Sequence, residues 1–312
     1  MTPSAAPPAA AAYMTPAMEK LLSRPPSAVF YGISGVGKSF ASQCAFGRDF
    51  LFVVHDPEVL RAIASFIRMY PEIAKQKYGL TDIPEFFHIP GERRPQPGER
   101  LEAGACTVPV NCLATVEALV NKIALSAKNR SFDWKCRDGQ VRQFRGIVFD
   151  EFSEFDARMS SQLQVKFGKD GFSINRELHR VQRKLRDISI AYEIAFVFIC
   201  GESQPKFYAT AAVEEGAKVA PEKQGQLQYL GGPTLPTGNL SSSVCGQVSF
   251  VFQFTVKDDI DMTAAIPGPK RLMLTGAGER WYRKGRDFGI PYEVDLSQTD
   301  LRELLARTGC IK

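Results

Sequence analysis

Between residues 28 and 46 the chain passes from a short apolar run, Ala28-Val29-Phe30-Tyr31, through the octad Gly32-Ile33-Ser34-Gly35-Val36-Gly37-Lys38-Ser39 into a helical pattern ending near Phe46. The octad satisfies G-x-x-x-x-G-K-[ST], and the flanking strand and helix patterns are the context that motif requires. Each position has a physical duty. Glycines let the backbone wrap closely around an oxyanion, the helix start offers unbonded N–H groups and a partial positive charge, and a lysine and a hydroxyl complete the cradle. Strand, tight loop and helix in immediate succession commit the chain to the α/β class.

The anion that such a cradle fits is a nucleotide triphosphate, so ATP with Mg²⁺ is the expected ligand pair. Gly32, Ile33, Ser34, Gly35, Val36, Gly37, Lys38, Ser39 and Phe40 form the expected binding segment, with Lys38 reaching the β and γ oxygens and Ser39 ligating the metal. A second apolar run, Gly146-Ile147-Val148-Phe149, ends in Asp150 and Glu151. Asp150 is expected to face the Mg²⁺ shell opposite Ser39. The carboxylate that polarises the attacking water is open among three residues: Glu58 is placed first, Glu151 second and Asp56 third. Glu58 also reads as an ordinary helix-start charge complementing the dipole. Glu202 and Gln204, just after the run Ile194 to Cys200, are candidate sensors of the γ-phosphate.

Further buried runs alternate with helical patterns, which calls for a mostly parallel sheet covered on both faces. Leu51 to Val54 reads as a strand, followed by helices over Glu58 to Tyr70, Ala114 to Ala127 and Ile174 to Ile188. Val248 to Val256 and Arg271 to Thr275 read as strands without an intervening helix, hence an antiparallel extension. Prolines, glycines and charges over 71–104 suggest a long surface insertion, and 132–143 a hairpin turning at Asp138-Gly139. Residues 1–25, rich in Ala and Pro, read as a flexible tail ahead of one domain spanning 26–312.

Composition sets outer limits. A net charge of +5 permits a polyanionic partner but falls short of a dedicated nucleic-acid binder. Seven dispersed cysteines without a C-x-x-C pair, and three histidines, argue against zinc and for a reducing compartment. No stretch approaches the roughly 20 apolar residues of a membrane span, and the start lacks a signal-peptide pattern, so a cytoplasmic location is expected.

The phosphate loop, Asp150, Gly201-Glu202-Ser203-Gln204, and above all Trp281-Tyr282-Arg283-Lys284-Gly285-Arg286-Asp287-Phe288-Gly289-Ile290-Pro291 resemble the RecA superfamily. More narrowly, they are similar to phage RecA-like ATPases of single-strand annealing and recombination, in which a Trp precedes a Lys-x-Arg element and an Asp-Leu-rich helix closes the chain. Asp300-Leu301-Arg302-Glu303-Leu304-Leu305 fits that last element. The resemblance implies a RecA-like P-loop NTPase fold and an assembly, ring or filament. In it, Lys284 and Arg286 would act as fingers on a neighbour's nucleotide, an effect worth ~10³-fold or more in rate. It also implies action on single-stranded DNA, through loops expected at 159–172, with Lys166 and Lys169, and at 206–246, with Lys206, Phe207, Tyr208, Lys218 and Lys223. The segments 71–104 and 132–143 do not map onto the family. Two other readings stand beside this one. The adjacent carboxylates Asp150 and Glu151 also suit a P-loop motor acting on a protein partner or in DNA packaging, and Arg93-Arg94 keeps open a small-molecule kinase, although no arginine-rich lid is visible.

Overall fold

A computed structural model of the chain describes residues 27–96, 107–204, 206–207, 227–229, 231–235, 244–261, 268–275, 283–285, 291–296 and 299–307. Nine strands form the main sheet: β1 (Ala28–Tyr31), β2 (Phe50–Val54), β3 (Phe86–His88), β4 (Gly146–Asp150), β5 (Ala195–Cys200), β6 (Phe250–Asp261), β7 (Gly268–Leu274), β8 (Lys284–Gly285) and β9 (Glu293–Asp295). Their order is β9-β7-β6-β1-β5-β4-β2-β3, with β8 also on β6. The six strands from β6 to β3 pair in parallel, while β7, β8 and β9 run antiparallel. This is the expected α/β architecture, with one adjustment: β6 joins β1 in parallel, so the antiparallel extension begins only at β7.

The continuous apolar runs have a simple cause, since β1, β2, β4 and β5 are buried along their whole length. Val29, Tyr31, Leu51, Val53, Ile147 and Phe149 face one side. There they meet helices α4 (Cys112–Ser126), α5 (Phe152–Phe167) and α6 (Gly171–Tyr192). The alternate residues Ala28, Phe30, Phe52, Val54 and Val148 face the other side, against α1 (Lys38–Phe46) and α7 (Leu301–Arg307). A smaller cluster joins α1 to α2 (Arg61–Met69) and α3 (Pro71–Tyr78). Arg302 of α7 donates to the Asp49 carboxylate at 3.0 Å and to the Ala45 carbonyl at 3.1 Å, fastening the last helix beside the first. No helix among the described residues is long and apolar enough to cross a membrane.

Three local expectations are corrected. The surface insertion expected from residue 71 carries α3 and then β3, which extends the main sheet by pairing with β2. Proline at the first turn of α3 is compatible with a helix because that N–H needs no partner. The loop expected at 159–172 is mostly helical: α5 runs to Phe167, Met159 and Ser160 are buried, and Asp170 caps α6 by accepting from the Phe172 and Ser173 N–H groups. The helix expected from Glu58 starts as a 3-10 turn, Pro57–Leu60, before α2. The hairpin at 132–143 forms with its turn at Gly139, whose φ is 83°, as part of a small three-stranded ribbon.

Candidate nucleotide site

The phosphate loop hangs between the end of β1 and the start of α1. Gly32 has no room for a side chain, because a Cβ there would collide with the Phe254 carbonyl of β6. Gly37 caps α1 at φ 91°, a conformation that L side chains rarely adopt. The loop is therefore tight for two separate steric reasons, and it leaves the first N–H groups of α1 facing outward.

Polar side chains converge on this turn. Lys38 is 7% exposed, and its ammonium donates to the carbonyls of Gly32 at 2.8 Å and Ile33 at 3.0 Å. Burial pulls the Lys38 ammonium below its ordinary pKa, opposed by the negative charges of Glu151 and Asp150. Ser39 donates its hydroxyl to Asp150 Oδ1 at 2.9 Å. Asp150 lies at the end of β4, two strands from β1, so the sheet order brings these residues together across the intervening β5. Its carboxyl is 1% exposed and burial pushes its pKa up to about 7, with the Ser39 hydrogen bond opposing the shift. Asp150 Oδ2 is buried without a hydrogen-bond partner. A buried, orphaned carboxylate oxygen beside a serine hydroxyl is a donor set that a hard, oxygen-seeking Mg²⁺ fits, because that ion takes one or two protein ligands and fills its shell with phosphate and water.

A cleft of about 640 Å³ opens on the loop, within the range of small-molecule sites. One end is lined by Ser34, Gly37, Lys38, Ser39, Asp150 and Glu151. The other is an apolar shelf of Phe40, Val59, Ala62, Phe66, Met69 and Tyr70, with the Phe40 and Phe66 rings edge to face at 5.4 Å. Of the three candidate bases, only Glu151 lines this cleft. Its carboxylate reaches the end of β5, since a Cβ on Gly201 would lie 3.1 Å from its Oε1. Glu58, placed first by sequence, is instead exposed at the 3-10 turn and pairs with Arg61 at 3.1 Å; Asp56 accepts from the Glu58 N–H at 2.9 Å as that turn's cap. Both follow β2 as expected. Neither lines the cleft.

Beyond β5 a chain of side chains crosses the strand ends. Gln204 donates to Glu202 Oε1 at 2.9 Å, and Gln253 donates to Glu202 Oε2 at 3.0 Å. Arg283 then donates to Gln253 Oε1 through Nε at 2.9 Å and Nη2 at 2.6 Å. Gln253 sits in register beside Tyr31, the last residue before the loop. The next residue after Arg283, Lys284, has its backbone in β8, paired with Val251; Arg286 and Trp281 lie outside the described residues. Sequence reasoning missed Gln253, Arg283 and Arg271, which lines the cleft from β7. For Gln253 the signal was an amide between Phe252 and Phe254; Arg271 and Arg283 stand beside other cations and carried none.

No family model matches the chain, and no curated protein matches it. Among solved structures it is similar to a KaiC-like protein from the hyperthermophilic archaeon Pyrococcus horikoshii OT3, at 12% identity and a TM-score of 0.35, covering 84% of each chain.

Proposed function

We propose that the chain is an ATPase that binds ATP with Mg²⁺ in this cleft. The observation that carries the reading is the meeting of Ser39 and Asp150 at 2.9 Å, beside the Lys38 ammonium and an orphaned Asp150 oxygen, at the N-terminus of α1. Gly32 to Phe40 would wrap the phosphates with backbone N–H groups, and Lys38 would exchange two loop carbonyls for β and γ oxygens. Ser39 and Asp150 would hold the metal, which when bound neutralises charge on the β and γ oxygens. Glu151 orients the attacking water and accepts its proton, because it is the free-standing carboxylate that lines the cleft.

The finer part of the proposal is self-association, with Lys284 and Arg286 acting on a neighbour's nucleotide, and action on single-stranded DNA. Its support is the resemblance of 281–291 to RecA-like ATPases, together with Lys166, Lys169 and Phe172, which stand exposed around the turn between α5 and α6. Cations beside an aromatic ring suit phosphates and stacked bases.

Phosphate release, measured with and without a single-stranded oligonucleotide, tests both levels. Glu151→Gln is expected to keep Mg-ATP binding and lower turnover by about 100-fold or more, while Glu58→Gln stays within about threefold of the wild type. The reverse pattern would return the base to Glu58. A mixture of Lys38→Ala and Arg286→Ala chains should regain activity that neither has alone, and the oligonucleotide should raise the wild-type rate. Turnover indifferent to DNA removes the DNA role and leaves the ATPase; a mixture that regains nothing removes the fingers.

A further inference from the structure

β7 carries to the phosphate loop a cation that no motif marks. Arg271 pairs in register with Val256 of β6, just beyond the level at which Gln253 meets Tyr31, so its side chain emerges level with the loop rather than with β1. The side chain lies directly over the loop's last glycine. A Cβ added to Gly37 would stand 3.1 Å from Arg271 Cδ, 3.1 Å from Nε and 3.8 Å from Cζ.

Among the described residues, the other cations near this edge are engaged: Lys38 by two carbonyls and Arg283 by Gln253. Arg271 is exposed and lines the cleft, and among the described residues no carboxylate pairs with it. An unpaired guanidinium laid across N–H groups that already repel cations is an unfavourable arrangement unless an anion shares the space.

Its position also says which part of an anion it meets. β7 lies two strands from β1 on one side, and β4, with Asp150 and Glu151, lies two strands from it on the other. Asp150 and Glu151 therefore flank the loop opposite to Arg271. The γ-phosphate belongs on the carboxylate flank, where the metal and the water must be, which leaves the phosphates nearer the ribose for the arginine.

Resting on the reading of the cleft as an ATP site, we propose that Arg271 is a nucleotide-contacting residue that grips the α- and β-phosphates in cis, from the flank opposite the metal. Its planar fork matches two phosphate oxygens at once, which an ammonium does not.

Titration of Mg-ATP and Mg-ADP into the full-length wild type, Arg271→Ala and Arg271→Lys, by calorimetry, tests this. Arg271→Ala is expected to raise the Kd of both nucleotides in parallel, by about 10-fold or more, since a charge-assisted contact is lost from each. Arg271→Lys should recover part of that loss. The side chain is exposed, so thermal unfolding of both variants should match the wild type, which separates a lost contact from a damaged fold. Kd values for the alanine variant within about twofold of the wild type would overturn the contact. Weakening of ATP alone would move the contact to the γ-phosphate and overturn the assignment to the inner phosphates. A wild type that binds neither nucleotide overturns the cleft reading and Arg271 with it.

Discussion

Asp156 lies on α5 at 0% exposure, with neither carboxylate oxygen bonded. Burial alone pushes its pKa from the ordinary 3.8 to about 7. Between those values the native chain holds a proton that the unfolded chain has lost, so this residue makes stability fall as pH rises from about 4 to about 7, with a plateau above. Asp156→Asn removes that penalty. Urea unfolding should show the variant more stable than the wild type at pH 8, by on the order of 2 kcal/mol, with the advantage shrinking as pH is lowered to 5. An advantage that is the same at both pH values, or absent at pH 8, would contradict the assignment. Single residues were legible in the sequence where their chemistry is local. Lys38 and Ser39 follow from the loop's own spacing, and Asp150 from the end of an apolar run. That Glu151 lines the cleft while Glu58 stands beside Arg61 was not legible, because the turn at Pro57–Leu60 rather than composition sets where Glu58 lies.

At the level of elements, Gln253 shows how a single amide can tie separate strands. It is 6% exposed between Phe252 and Phe254, and its two ends differ: the N–H₂ serves the Glu202 carboxylate and the oxygen serves the Arg283 guanidinium. A carboxylate could not donate to Glu202, and an aliphatic chain could do neither. Gln253→Leu should therefore loosen β8, which among the described residues pairs with β6 through Lys284 and Gly285. Losing about 1–2 kcal/mol of bridging should speed amide exchange at 283–285 by roughly 5- to 30-fold, while β1 and β5 stay protected. Unchanged exchange at 283–285 would show that pairing with β6 holds this strand without the bridge. The sequence made the long buried strands and amphipathic helices plain, because their periodicity is a direct consequence of burial on two faces or one. It did not show that residues near 159 continue as helix or that 86–88 form an edge strand. Short elements owe their state to neighbours, here the cap at Asp170 and the exposed edge of β2.

For the molecule as a whole, what places the site is the strand order. β5 is inserted between β1 and β4, and both faces are sealed by helices, so the phosphate loop, the Asp150-Glu151 pair and the Arg271 flank open on one edge. Spacing along the chain cannot reveal that order, since β4 and β5 both follow the loop by more than 100 residues. The α/β class was legible from local pattern, and the pairing of distant strands was not. Every functional step depends on that edge holding a nucleotide. Equilibrium dialysis of labelled ATP with Mg²⁺ at neutral pH, against the wild type and Lys38→Ala, measures this directly. The wild type should retain about one nucleotide per chain, and the lysine variant should bind about 100-fold more weakly or not at all. No retention by the wild type, or equal retention by Lys38→Ala, would contradict it.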